Sequence, residues 1–220
     1  MSDALKMTMP HRILVLNGAA AGEGATGLIA ALNHGTVVAQ RELAGRGAAE
    51  HFAPLTRELL QDTGWSAGPE LIVAVTGPGS FTGLRASLAL ATGLALGFHC
   101  RLRGVTVGAA LRSLPNAQQA VSIMIARRNR CFVEDAHGGT WACSPEEFAL
   151  PHDTAVMGDG VASLTDVQRA NLQVLPYRFP TAQAIVEASA HTTDLAVLEP
   201  VYIDAPEAKL PAAGLRSAPK

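Results

Sequence analysis

The stretch Thr76–Gly97, TGPGSFTGLRASLALATGLALG, constrains the fold more than any other part of this chain. It follows the apolar run Leu71–Val75, turns through Gly77, Pro78 and Gly79, and at Ser80 enters an Ala- and Leu-rich segment too long for a strand. The order is strand, glycine turn, helix. Ser80 suits the N-cap, because its hydroxyl can accept from first-turn amides that would equally suit an anion. The named phosphate loops do not match. A Walker loop needs Lys and then Ser or Thr after its last glycine, whereas Leu84 and Arg85 follow Gly83; a dinucleotide fingerprint needs glycine where Thr82 stands. A tight turn that launches a close-packed helix accounts better for Gly77 and Gly79. Along that helix Ala86, Ala89, Leu90, Gly93 and Gly97 recur at three- and four-residue spacing, leaving one face nearly bare backbone that a second helix could approach. Glycine inside a helix costs about 1 kcal/mol against alanine, so Gly93 needs a packing reason.

With 220 residues, 48% hydrophobic and 16% charged, the chain can bury one sizeable core or two smaller lobes. A formal charge of -2 supplies no general basic field, so nucleic acid would be met through a local patch or a partner. Cys100, Cys131 and Cys143 are an odd, scattered set without CxxC spacing, and the opening MSDALKMTMPHR has no apolar signal core. Both features point to a reducing cytoplasm. The longest apolar run, Leu88–Phe98, has eleven residues against the roughly 20 of a membrane span, so no membrane association is expected.

Residues 1–10 read as a loose leader, 11–104 as a first lobe, 105–204 as a second, and the Ala- and Pro-rich 205–220 as a poorly ordered tail. Ile13–Leu16 is a buried strand. The literal GxGxxG at Gly22–Gly27 is a decoy, because only five residues separate it from the turn Asn33-His34-Gly35 and these cannot make the helix the fingerprint opens. Thr26–Leu32 and Thr36–Leu43 are instead expected to form a hairpin, which with the first strand makes an antiparallel meander. Gly47–Asp62 is amphipathic, with Phe52, Leu55, Leu59 and Leu60 at helical spacing; Pro54 implies either a start near His51 or a kink. The first half is thus β-β-β-α-β-α. Beyond it come a short strand at Val105–Val107, a helix near Ala109–Leu114, a hairpin of Val121–Ala126 with Cys131–Glu134, a helix start at Ser144-Pro145-Glu146-Glu147, a strand Ala155–Met157, and a helix Thr181–Ser189.

Two signatures in order, the HFAPLTRELL helix and then VAVTGPGSFTGLRASLALATGLALG, make the chain resemble the TsaB (YeaZ) family, a bacterial subunit of threonylcarbamoyladenosine formation in tRNA. Weaker likeness continues through IARRNRCFV, MGDG and LEPVYIDAPEAK. The resemblance implies an α/β, two-lobed fold like actin, Hsp70 and the sugar kinases, each lobe a mixed β-sheet with helices. It implies no catalytic residue in this chain, pairing with a TsaD-type catalytic subunit, a TsaE-type ATPase in the same complex, contact with tRNA through that complex, and self-association as a homodimer in isolation. The contact is expected on the two first-lobe helices, through His51, Leu55, Leu59, Arg85, Ala86, Ala89, Leu90, Gly93 and Gly97. No cofactor is required of this chain, and ATP or ADP would belong to the interface of the complex. Within the chain a nucleotide loop would draw on Asn17, Gly77, Gly79, Ser80 and Asp159. Asn17 stands where the superfamily carries an Asp, and a neutral amide is a poor magnesium ligand. Ile125, Arg130 and Phe132 replace an Asp, a Glu and a Tyr, and Asp204 replaces an Arg.

The alternative from a different class is a stand-alone phosphotransferase or ATPase of the same superfamily; Asn17 and the missing Walker lysine count against it. His51 has no second ligand at metal spacing and suits a surface or interface, so no metal site is expected. Arg127, Arg128 and Arg130 suit a solvated turn, with contact to tRNA or an acidic partner as the alternative.

Overall fold

The computed structural model describes residues 10–20, 26–44 and 48–203. The expected leader up to residue 9, Gly22–Ala25, Gly47, Asp204 and the tail lie outside them.

Central strands of this chain are apolar on both sides, and each becomes the floor of two cores. In β1 (Arg12–Asn17) Ile13 and Val15 enter one core, while Leu14 and Leu16 enter another on the opposite face. The period of two along a strand makes this division. β1 pairs antiparallel with β2 (Thr26–Asn33), which pairs antiparallel with β3 (Thr36–Ala44), as the meander requires. After α1 (Ala48–Asp62) the wholly buried β4 (Leu71–Gly77) lies parallel to β1, and after α2 (Phe81–Phe98) β5 (Arg101–Thr106) lies parallel to β4. The first sheet therefore runs β3-β2-β1-β4-β5.

A second sheet repeats the plan. After α3 (Val107–Arg112) come β6 (Val121–Ala126), β7 (Arg130–Glu134), β8 (Thr140–Cys143), β9 (Ala155–Met157), a 3-10 turn at Asp159–Ser163, α4 (Asp166–Ala170), β10 (Gln173–Val174) and α5 (Ala182–Ser189). The strand order β8-β7-β6-β9-β10 matches β3-β2-β1-β4-β5 in both position and direction of pairing. Helices α3 and α5 lie between the sheets: Ala110, Leu111 and Ile185 share one core with Val73 and Val75 of the first sheet and with Met124 and Met157 of the second. The molecule is thus a two-lobed α/β fold, each lobe a mixed five-strand sheet with helices. β5 belongs to the first sheet and crosses the division expected between 104 and 105.

Some local expectations are corrected. Of the two readings of Pro54, a start near His51 is set aside, because α1 begins at Ala48 and runs through Pro54; the proline forgoes a bond to the Glu50 carbonyl, and Phe52 and Leu59 anchor the helix in the core. Ser144 and Glu147 do form a reciprocal capping box, at 3.1 and 3.3 Å, but it closes a single turn, because Phe148 then enters the second-lobe core and Pro151 follows. The short β8, β10 and α4 carry too little periodicity to be expected. The eleven-residue apolar run is part of a longer unit: α2 has 18 residues and a mean hydropathy of 1.3, long and apolar enough by length and composition to cross a membrane. In the fold it is a layer of the first lobe, with Leu84 buried against β4 on one side of the sheet and Leu88, Ala91 and Ala95 in the core shared with α1.

Candidate functional site

Two places collect the residues of interest: the cleft between the lobes and the outer surface of α1 and α2.

Asn17, Gly79 and Asp159 meet at the cleft, lined also by Ile125, Arg178 and Phe179, whereas Gly77 and Ser80 do not line it. The loop after β1 and the turn after β4 are fastened together there. The Ser80 amide donates to the Ala19 carbonyl at 2.9 Å, and the Asn17 side-chain oxygen accepts from the Ala19 amide at 3.0 Å. A Cβ on Gly79 would lie 1.9 Å from the Ala19 oxygen, so only glycine allows this approach. Ser80 caps α2, accepting from the Gly83 amide at 3.3 Å, as its place in sequence predicts. Opposite, Asp159 accepts from the Ile125 amide at 3.0 Å. Burial pushes the Asp159 carboxyl up, against the lowering pull of that bond and of the Arg178 charge.

The space left between these described groups is about 30 Å³, room for water-sized groups. The amides of Ala19, Ser80 and Gly83 already have acceptors within the chain. Among the described residues no three His, Cys, Asp or Glu side chains gather as a metal set.

The second place is a surface. Ala89, Gly93 and Gly97 are exposed along α2, with Leu96 67% exposed beside them, and a Cβ added at Gly93 or Gly97 meets nothing within 4 Å. The small residues thus leave open space outside the lobe and serve no packing inside it. Ala86 and Leu90 are half-buried toward α1, where His51 is exposed and Leu55 half-buried. Leu59 corrects the expected set: it is 0% exposed and belongs to the core with Phe52 and Leu88. Helical spacing places it on the apolar side of α1, and only the position of the sheet decides which part of that side is covered.

Between the two helices runs a groove of about 620 Å³ whose walls include Ala53, Leu60, Trp65, Leu90, Leu94 and Phe98. Sequence reasoning missed Ala53, Trp65, Leu94 and Phe98. Trp65 lies beyond the helix in what reads as a loop, though its size was a signal. At the opposite end of α2, Arg85 donates through Nε to the Tyr202 hydroxyl at 2.9 Å and lies 3.8 Å over the Phe81 ring. Phe81 and Tyr202 are each 38% exposed, and the Val201 amide donates to the Thr76 carbonyl at 2.8 Å, so the segment around Val201 braces the glycine turn. Of the family departures, Ile125 lines the cleft, Arg130 donates to the Ala142 carbonyl at 3.1 Å, and Phe132 packs on the interlobe core.

Residues 31–138 match the family model described as TsaD, tRNA N6-adenosine threonylcarbamoyltransferase. The chain is 38% identical over 79 residues to the tRNA threonylcarbamoyladenosine biosynthesis protein TsaB of Escherichia coli, a match covering 36% of this chain and only 34% of that protein. To the protein of the same name in Haemophilus influenzae it is 26% identical over 206 residues, covering 80% of this chain and 87% of the other. Two solved structures from Pseudomonas aeruginosa share the fold. One, described as an uncharacterized protein with similarity to peptidase YEAZ, has a TM-score of 0.68 at 20% identity, covering 88% of this chain and 99% of its own. The other, YeaZ, has a TM-score of 0.66 at 19% identity, covering 87% and 99%.

Proposed function

The chain belongs to the TsaB (YeaZ) family, and on that premise we propose that it is a noncatalytic subunit in the N6-threonylcarbamoylation of adenosine 37 in tRNA, acting by pairing with a TsaD-type catalytic subunit. A TsaE-type ATPase joins the pair, tRNA is met through the complex, and the isolated chain self-associates through the same surface.

The observation that carries this proposal is the open stripe on α2. Glycine at position 93 sacrifices helix stability without relieving any contact in the lobe, so an approaching backbone outside the lobe is the remaining packing reason. The neighbouring groove offers apolar walls to side chains of a partner helix. On this reading no cofactor is required of this chain, and ATP or ADP belongs to the interface of the complex.

Affinity purification of the tagged chain from its source cell tests partner and pathway together. A TsaD-type subunit and a TsaE-type ATPase are expected in the eluate, and depletion of the chain should lower threonylcarbamoyladenosine in bulk tRNA hydrolysates. An eluate without the catalytic subunit, together with ATP turnover by the purified chain alone, would replace this function with that of a stand-alone phosphotransferase.

A further inference from the structure

Cys131 and Cys143 look unrelated in sequence, twelve positions apart and without a motif. The fold sets them directly opposite one another in the antiparallel pair of β7 and β8. Directly opposed residues in such a pair share one face of the sheet, with Cα atoms about 4.5 or 5.5 Å apart, and a disulfide accepts Cα separations of about 4.4–6.8 Å. Both side chains belong to the second-lobe core: Cys131 is 1% exposed within it, and Cys143 packs against its edge, half-buried. The two differ usefully in access. Cys143 ends the edge strand of the sheet, where a small reagent can reach it, whereas Cys131 lies behind it with its sulfur 3.2 Å from the Ser163 hydroxyl.

We infer that Cys131 and Cys143 form a reversible cross-strand disulfide when the protein meets a low-molecular-weight disulfide oxidant. Cys143, as thiolate, attacks a sulfur of the oxidant; that S–S bond breaks and one small thiolate leaves. Cys131 then loses its proton and attacks the Cys143 sulfur, expelling the second small thiolate. Two cysteine thiols are oxidised, one small disulfide is reduced to two thiols, and the two protons given up by the cysteines are taken by the two leaving groups. Burial pushes both thiols up, with Asp159 and Glu146 adding to the effect at Cys131, so few thiolates are present at neutral pH and the exchange is slow. The bond would fasten edge strand β8 to β7 and leave Cys100, at the end of α2 in the other lobe, free.

The test uses the full chain and oxidised glutathione. The thiols counted after denaturation should fall from three to one, and digestion at Glu134 and Glu146 should give a peptide holding Cys131 joined to one holding Cys143, released by dithiothreitol. Cys100→Ser should keep the link, and Cys143→Ser should lose it. Three remaining thiols, glutathione held on Cys143 without a link, or a link that disappears in Cys100→Ser would each overturn the inference.

Discussion

Gly18 and Gly83 touch backbone to backbone: a Cβ on Gly18 would stand 2.2 Å from the Gly83 carbonyl oxygen, and one on Gly83 would stand 2.3 Å from that of Gly18. The contact joins the loop after β1 to the first turn of α2. Gly83→Ala is therefore expected to destabilise the chain by about 2 kcal/mol or more, because the atom it meets is main chain and cannot rotate away. Gly93→Ala, in the same helix with open space around it, is expected to stabilise the isolated chain by about 0.5–1 kcal/mol. Urea unfolding of the two variants checks both signs; equal effects would disprove the distinction.

Gly93→Leu bears on pairing. Leucine there has room in the isolated chain, so circular dichroism and the melting midpoint should stay close to those of the parent. Against a second helix it pushes the axes apart, and retention of the TsaD-type subunit in a pull-down is expected to fall at least about tenfold, equivalent to about 1.4 kcal/mol. Undiminished retention would remove α2 from the interface.

Arg112 and Glu134 form a buried ion pair at 2.5 Å that joins α3 to β7, and Thr106 at the end of β5 also donates to Glu134 at 2.7 Å. Among the described residues Glu134 Oε2 and Arg112 Nη1 have no hydrogen-bond partner. Arg112→Met strands a buried carboxylate and is expected to cost about 3–5 kcal/mol. Adding Glu134→Leu should recover much of that loss. A double-mutant cycle measured by denaturant unfolding decides the matter, and additive losses would count against the pair acting as a unit.

Two carboxylates give opposite pH dependence. The hydrogen bond from Arg103, with help from Arg101, holds Asp194 below the ordinary value of 3.8 despite partial burial. Its stabilising contribution is present above 3.8 and is lost as pH falls through the lower folded value; the effect is small because the side chain is 45% exposed. Asp159 is raised above 3.8 by burial, so its contribution is full below 3.8 and is lost as pH rises through the folded value. Asp159→Asn keeps an acceptor for the Ile125 amide. It should gain stability over the parent as pH rises above 3.8, whereas Asp194→Asn should fall behind the parent as pH rises toward 3.8 from below and keep a constant deficit above it. Denaturant midpoints measured across pH report the two slopes, and slopes of the same sign would refute the assignment.

Much of this was legible because local patterns agreed with the fold. The run Leu71–Val75, the glycines after it and Ser80 announced strand, turn and capped helix, and β4, the turn and α2 follow that order. The literal GxGxxG could be set aside because too few residues follow it, and Gly27 lies in β2. Leu59 shows where local pattern fails. Its spacing marks an apolar face but not how much of that face the sheet covers. The capping box at Ser144 fails in a different way, since it specifies how a helix begins and not whether the next residues are drawn into a core.

For this protein, then, sequence alone determined the first six elements, their order and the glycine-poised helix, because hydrophobic period, turn chemistry and capping act over a few neighbours. Tertiary structure decided what those elements face. It fastened the cleft by pairing Ala19 with Ser80, turned the stripe at Gly93 outward, buried Leu59, and set Cys131 against Cys143. Each of these depends on sheet register or on contacts between residues distant along the chain, and the pattern of a single segment does not encode them.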